Sequence, residues 1–182
     1  MRIIAGIHRG RILANPRDRT VRPTTDRAKQ TIFDILSNRI LFDGVQVLDL
    51  FAGSGSLGLE AISRGAASVT FVDSSRDSLT LVQKNIGALH CGDRCTVYQA
   101  DVFWYLRNTQ ARYDLVFADP PYRLEKIGTI PTAIHDSGVL KQDAFVVMEH
   151  SRESTVELDE SMYTVVRKPF GQTTVLVLQT KN

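Results

Sequence analysis

The 182-residue chain is 43% apolar and 23% charged, which is the make-up of one globular domain and not of a disordered chain. No apolar run approaches the roughly 20 residues of a membrane helix, so no membrane role is expected. The net charge of +2 hides a split: residues 1–40 hold nine Lys/Arg against three acids, while the remainder has a net charge of −4.

The chain begins MRIIAGIHRGR, without the apolar core of a secretory signal, and a cytoplasmic protein is expected. RIIAG and GRILA can pair as a short hairpin across IHR. PRDRTVRPT is polar and punctuated by proline, a poor candidate for regular structure. Thr24 or Thr25 can then cap a helix through DRAKQTIFDILSNRI, whose apolar face is Ile32, Phe33, Ile35 and Leu36. Residues 1–44 thus form a basic extension ahead of a second unit, 45–182. Such asymmetry is the footprint of a nucleic-acid arm, although a solvated basic face would look the same. On the first reading Arg2, Arg9, Arg11, Arg22, Thr24, Arg27 and Lys29 meet nucleic acid.

From Val45 short apolar runs alternate with helical stretches. The runs are VQVLDLF (45–51), SVTFVD (68–73), TVYQA (96–100), YDLVFAD (113–119) and AFVVME (144–149), nearly continuous as in strands buried on both faces. Helices are predicted near 57–65, 75–89, 102–109 and 123–136. This is an α/β pattern with a parallel sheet. MYTVVRKPF, Gly171–Gln172 and TTVLVLQT then read as an antiparallel hairpin ending that sheet, the arrangement of the class I methyltransferases. Cys91 and Cys95 fall in the polar HCGDRC with few companion ligands, so reduced thiols and no metal site are expected.

DLFAGSGSLGLE (49–60) carries the first chemical signal. A strand ends, a glycine-rich turn follows, and a helix begins. Gly53, Gly55 and Gly58 fit G-x-G-x-x-G, with Asp73 closing the next strand, so a dinucleotide site is an alternative. Asp49, four residues before Gly53, argues against it. A carboxylate there would repel a pyrophosphate, but it suits a ligand carrying a sulfonium and an ammonium group. S-adenosylmethionine is the expected cofactor, held by Asp49, Phe51, Gly53, Gly55, Asp73 and Asp101. Asp73 is placed to take ribose hydroxyls, and Asp101 the adenine amine. Each of those two acids could equally be a helix cap or a surface acid.

Asp119-Pro120-Pro121-Tyr122 follows the strand YDLVFA. Consecutive prolines fix φ and stiffen the segment, aiming its carbonyls. A rigid row of acceptors suits an exocyclic NH₂ group, whose lone pair is delocalised into the base. Acceptors on its hydrogens favour the pyramidal form and free that lone pair, while Tyr122 stacks on the ring. Asp119, Pro120 and Tyr122 are therefore the candidate catalytic residues.

RIIAGIHRGR, RPTTDRAKQTIFDIL (22–36), VLDLFAGSGSLGLEAISRGA (47–66) and FADPPY (117–122) together resemble the bacterial small-subunit ribosomal RNA guanine-N2 methyltransferases of the RsmD type. The likeness spans nearly the whole chain. The glycine and DPPY motifs are shared by many amino-methyltransferases, whereas the N-terminal blocks are more specific. The resemblance implies a guanine in 16S ribosomal RNA as target, within the small subunit or an assembly intermediate, and a monomeric enzyme is expected. Two positions depart from the family pattern: Lys29-Gln30 stand where Arg-Glu is usual, and Asp73 where Glu is usual. DPPY also occurs in DNA adenine-N6 methyltransferases, and a similar motif in protein glutamine methyltransferases. The lack of an obvious target-recognition domain weighs against the first; Asp119, where that similar motif usually has Asn, and the basic arm weigh against the second.

Overall fold

The computed structural model describes residues 1–15 and 26–181; Arg22, Thr24 and Thr25 lie outside the described residues. The apolar runs become β1 (Gln46–Leu50), β2 (Ser68–Asp73), β3 (Cys95–Gln99), β4 (Tyr113–Ala118) and β5 (Leu140–Ser151). These five pair with one another in parallel. β6 (Tyr163–Phe170) and β7 (Thr173–Thr180) form the antiparallel hairpin, and β7 pairs with β5 in the order 3-2-1-4-5-7-6. Gly171 supplies the positive φ, 56°, at the hairpin turn.

Alternation along the strands divides the core. Val47, Leu115, Phe117, Phe145 and Val147 pack under α1 (Asp26–Ser37), α2 (Ser56–Ser63) and α3 (Arg76–Leu89). Leu48, Leu50, Val116, Val146 and Met148 pack under α4 (Val102–Asn108) and α5 (Ile130–Asp136). The result is a three-layer α/β/α domain. The α1 face contributes Ile32, Phe33 and Leu36; Phe33 lies against the Phe42 and Phe117 rings, with the Arg64 guanidinium 4.6 Å above it. Burying such a side chain contributes about 1.5–3 kcal/mol.

The N-terminal arm joins the same core through Ile3 and Leu13. Its chain doubles back through an Arg2–Ile12 bridge and the Ile3 N–H to Arg11 C=O and Gly10 N–H to Ile3 C=O bonds. It lies on α2: the Ile7 N–H donates to Ser63 C=O, and the His8 N–H to the Ser63 hydroxyl. Gly6 makes this approach possible, since a Cβ there would stand 1.8 Å from the Ser63 carbonyl oxygen.

The sequence pattern needs correction in three places. β3 is an edge strand with three of its five residues exposed, so it is not buried on both faces. The helix expected over 123–136 is a 3-10 turn, Ile127–Thr129, followed by α5; Pro131, which cannot donate, sits in the first turn of α5. β5 starts at Leu140, four residues earlier than expected, because a register shift against Tyr113–Leu115 carries the pairing past Asp143, which has φ 57°.

Candidate active site

Parallel register brings the C-terminal ends of β1, β2 and β4 together: Leu50 pairs with Val72 on one side and Ala118 on the other. Residues at these ends, Phe51 and Gly53 of the first loop, Asp73–Ser75 and Asp119–Arg123, line a cavity of about 570 Å³. Ligand sites of open α/β sheets form at this edge, where strand order reverses, and typically measure about 300–1,000 Å³.

The glycine loop turns sharply, with Phe51, Gly53 and Gly55 at φ 56°, 55° and 75°. Phe51 is a bulky side chain held in the left-handed region on the cavity wall, the kind of local strain that gathers at binding sites. The loop glycines differ in purpose. A Cβ on Gly58 would stand 2.5 Å from the Phe71 ring, so Gly58 packs helix on sheet. At Gly53 a Cβ would meet only the Phe51 carbonyl, at 3.9 Å, so this glycine leaves room on the cavity side.

Asp73 braces the loop: one carboxylate oxygen accepts from the Gly53 N–H at 2.9 Å and the other from the Ser75 N–H at 2.8 Å. Asp49 is 2% exposed and accepts from the Gly58 N–H at 3.0 Å. It therefore occupies a donor of the α2 N-terminus that a phosphate would otherwise use. Burial pushes the Asp49 carboxyl well above the usual range; the Gly58 N–H works against this, while the charges of Asp119 and Asp73 add to it. Asp119 is half-buried, Pro120 buried and Tyr122 40% exposed. The Tyr122 hydroxyl donates to Glu149 Oε1 at 3.4 Å.

The family model described as "Conserved hypothetical protein 95" matches residues 1–179. The ribosomal RNA small subunit methyltransferase D of Escherichia coli is 36% identical over 154 residues, covering 85% of this chain and 76% of that protein. The YlbH protein of Bacillus subtilis is 37% identical over 183 residues, 97% of each chain. The solved structure of the yhhF protein of Escherichia coli superposes with a TM-score of 0.86 at 34% identity, over 100% of this chain and 98% of that one. The chain belongs to the RsmD-type family of S-adenosylmethionine-dependent methyltransferases.

The donor set fits that cofactor. Three carboxylates, Asp49, Asp73 and Asp119, converge on one edge, and the field of two of them reaches the buried third. Such a site repels a pyrophosphate and attracts a cation. The remaining cofactor candidate, Asp101, is exposed, is the N-cap of α4 with the Trp104 N–H at 2.8 Å, and is not on the cavity wall.

The expected RNA-contact residues divide. Arg2, Arg9 and Arg11 are exposed on the arm, and exposed Arg27 holds its guanidinium 5.9 Å from the Phe170 ring. Lys29 does not reach the surface, which corrects its assignment. It is fully buried, with Nζ 2.7 Å from the Arg2 carbonyl, 3.1 Å from the Ser56 hydroxyl and 3.6 Å from Glu60 Oε2. Its position on α1 faces the core between Ile32 and Phe33, and the pairing with Glu60 together with the two hydrogen bonds makes a cation tolerable there.

Cys91 and Cys95 are free, with their sulfurs 3.8 Å apart; among the described residues no group of three or more His, Cys, Asp or Glu could hold a metal ion. Sequence reasoning missed Glu60 and Glu149. Both are acids within otherwise apolar runs, LGLEAI and AFVVMEH, and that mismatch was the available signal.

Proposed function

We propose that the chain transfers a methyl group from S-adenosylmethionine to the exocyclic N2 amine of a guanine in 16S ribosomal RNA. One observation carries this reading: the Asp119–Tyr122 segment and the glycine loop share one cavity. When bound, the cofactor supplies an electrophilic methyl group on sulfur. Asp49, Phe51, Gly53, Gly55 and Asp73 are the residues that would hold it, with Asp101 as a more distant contributor. The Asp119 carboxylate and Pro120 carbonyl accept from the target NH₂ group, Tyr122 stacks on the swung-out base, and Asp119 stabilises the positive charge developing on nitrogen. The amine becomes acidic only as the carbon–nitrogen bond forms, so Asp119 need not be a strong base beforehand.

The extension 1–44 would present the RNA. Two contacts support its placement beside the cavity. Asn85 bonds both Ala14 backbone groups and the Ser54 carbonyl of the glycine loop. Arg27 lies over Phe170, whose partner Thr173 pairs with Ser151 at the C-terminal end of β5. A monomer acting on a small-subunit assembly intermediate in the cytoplasm completes the proposal. Among the described residues no helix is long and apolar enough to cross a membrane.

The test is to map methylated nucleotides in ribosomal RNA from cells lacking the protein, then restore them in vitro with purified enzyme and labelled cofactor. Loss and recovery of one N2-methylguanine in 16S RNA is the expected result. Label entering only DNA adenine or protein glutamine would replace the proposal with one of those readings.

A further inference from the structure

We infer that Glu149 is a positioning residue for the target base, acting through Tyr122. This rests on the proposed function, in which the Tyr122 ring is the face the base stacks on. Glu149 directly follows the apolar Phe145–Met148 run of β5 and is only 8% exposed. A carboxylate in such a strand is costly to desolvate unless hydrogen bonds offset it. Its place is set by register. Met148 pairs with Ala118, so Glu149 falls beside Asp119, and alternation puts it on the same sheet face as Phe117, Val147 and Asp49.

From there Oε1 accepts the Tyr122 hydroxyl at 3.4 Å across 27 residues of sequence. A carboxylate can only accept, so the phenol must donate to it. The tyrosine is then held at both ends. Its backbone is fixed by Pro121 and by the turn that the Leu124 N–H closes on the Pro121 carbonyl, and its hydroxyl by a strand of the sheet. Two such constraints fix the axis of a ring that is 40% exposed, and because a phenol O–H lies in the plane of its ring the bond also favours one orientation of that plane. The contact is long for an O–H···O bond, as active-site bonds often are before substrate arrives, and it would shorten once a base presses on the ring. Glu149 thereby ties the plane in which the base lies to the rigid strand next to Asp119, whose oxygen must meet the amine of that base.

The experiment is a double-mutant cycle on the full chain, measuring kcat/KM with labelled S-adenosylmethionine and small-subunit RNA from cells lacking the protein. Tyr122→Phe removes the donor, and Glu149→Gln keeps an acceptor of the same shape without the charge. Glu149→Ala removes the acceptor. Tyr122→Phe and Glu149→Ala should each lower kcat/KM about tenfold, and the double variant no further than the worse single. Glu149→Gln should recover about half of the alanine loss on a logarithmic scale when Tyr122 is present, and should change nothing in the Tyr122→Phe background. Cofactor affinity should be the same in all variants. If Glu149→Ala does not fold, the Gln–Phe cycle carries the test alone, with a loss of about threefold for Glu149→Gln that disappears in the Tyr122→Phe background. Independent, multiplying losses, or a glutamine loss equal in both backgrounds, would overturn the inference while leaving the proposed function standing. A wild-type chain that transfers no methyl group to RNA would sink the proposed function and this inference with it.

Discussion

Glu60 of α2 and Asp49 of β1 are both buried carboxylates, 0% and 2% exposed, and they flank the glycine loop. Glu60 is matched within the chain. Its oxygens accept from the Ile4 and Ala5 N–H groups at 2.8 and 3.0 Å and from Arg64 Nε at 2.9 Å, with Lys29 Nζ 3.6 Å away. Asp49 has the Gly58 N–H, two further acids in its field, and no ion pair among the described residues. A buried charge that the fold neutralises itself holds the fold together. A buried acid left without a cation keeps its proton to higher pH, and a bound cation would favour its release. The arm is attached to the first kind of carboxylate and the second stands at the proposed cofactor site, eleven residues apart on one strand–loop–helix unit.

The largest expected effect tests the structural member of the pair. Glu60→Ala leaves Lys29 buried without its carboxylate and frees two arm N–H groups, which should cost about 3–5 kcal/mol in thermal or denaturant unfolding. Glu60→Gln keeps an acceptor for the arm and should cost less. A Glu60→Ala protein that unfolds like wild type would mean that Glu60 does not hold the fold together. Next in size is Asp119→Ala, expected to slow single-turnover transfer about 10²–10³-fold, near 3–4 kcal/mol, with little change in cofactor affinity. Asp119→Asn separates the causes: a mild loss means that orientation dominates, a loss as deep as alanine's that charge does. A normal rate for the alanine variant would end the DPPY mechanism.

These two sites were not equally legible. The strands, their sequence along the chain and the three acids at the cavity edge follow from local signals: apolar runs, glycines at a turn, a proline pair. Each of those residues sits where its own segment places it. Lys29 and Glu149 act through partners 31 and 27 residues away, Glu60 and Tyr122, and pairings of that kind have no local signature. Charge counting therefore assigned Lys29 to the surface, when its helical phase, between Ile32 and Phe33, already turned it inward. Propensity likewise could not foresee that β3 would end the sheet with one side open, since edge position is a property of the topology.

Asp49 gives a smaller effect, read as pH dependence. In the free protein burial raises its carboxyl well above the usual range, so the proton is held to higher pH than in the unfolded chain. That raised value makes the unliganded fold relatively more stable at low pH, with the advantage lost as pH rises through the folded value. A bound cation favours the ionised form and draws the value down. The complex then carries fewer protons between the bound and free values, so affinity should climb with pH in that window, by at most about tenfold per unit, and level off above it. Calorimetry in buffers of different ionisation enthalpy should register proton release on binding. Asp49→Asn should bind weakly with no such slope, while melting no lower than wild type without ligand. An unchanged slope in Asp49→Asn would place the titrating group elsewhere.

The smallest effect per residue separates the arm's exposed charges from its buried one. Arg9, Arg11 and Arg27 are exposed and can each neutralise a phosphate, releasing a condensed counterion when RNA binds. Neutralising one of them, Arg→Gln, should flatten the plot of log affinity against log salt by roughly 0.7–0.9, and neutralising all three by the sum of the three single effects. Lys29→Gln changes the formal charge of the chain by the same amount but removes no exposed cation. It should lower the unfolding temperature through Glu60 while leaving the salt slope of the folded protein as it is. Net charge alone predicts equal slopes for all four variants, so the experiment tests whether placement or total charge governs RNA binding. Equal flattening by Lys29→Gln and Arg9→Gln would mean that the buried pair opens when RNA binds and that Lys29 reaches a phosphate after all. No flattening from the arginines would leave the arm attached to the enzyme for some purpose other than holding RNA.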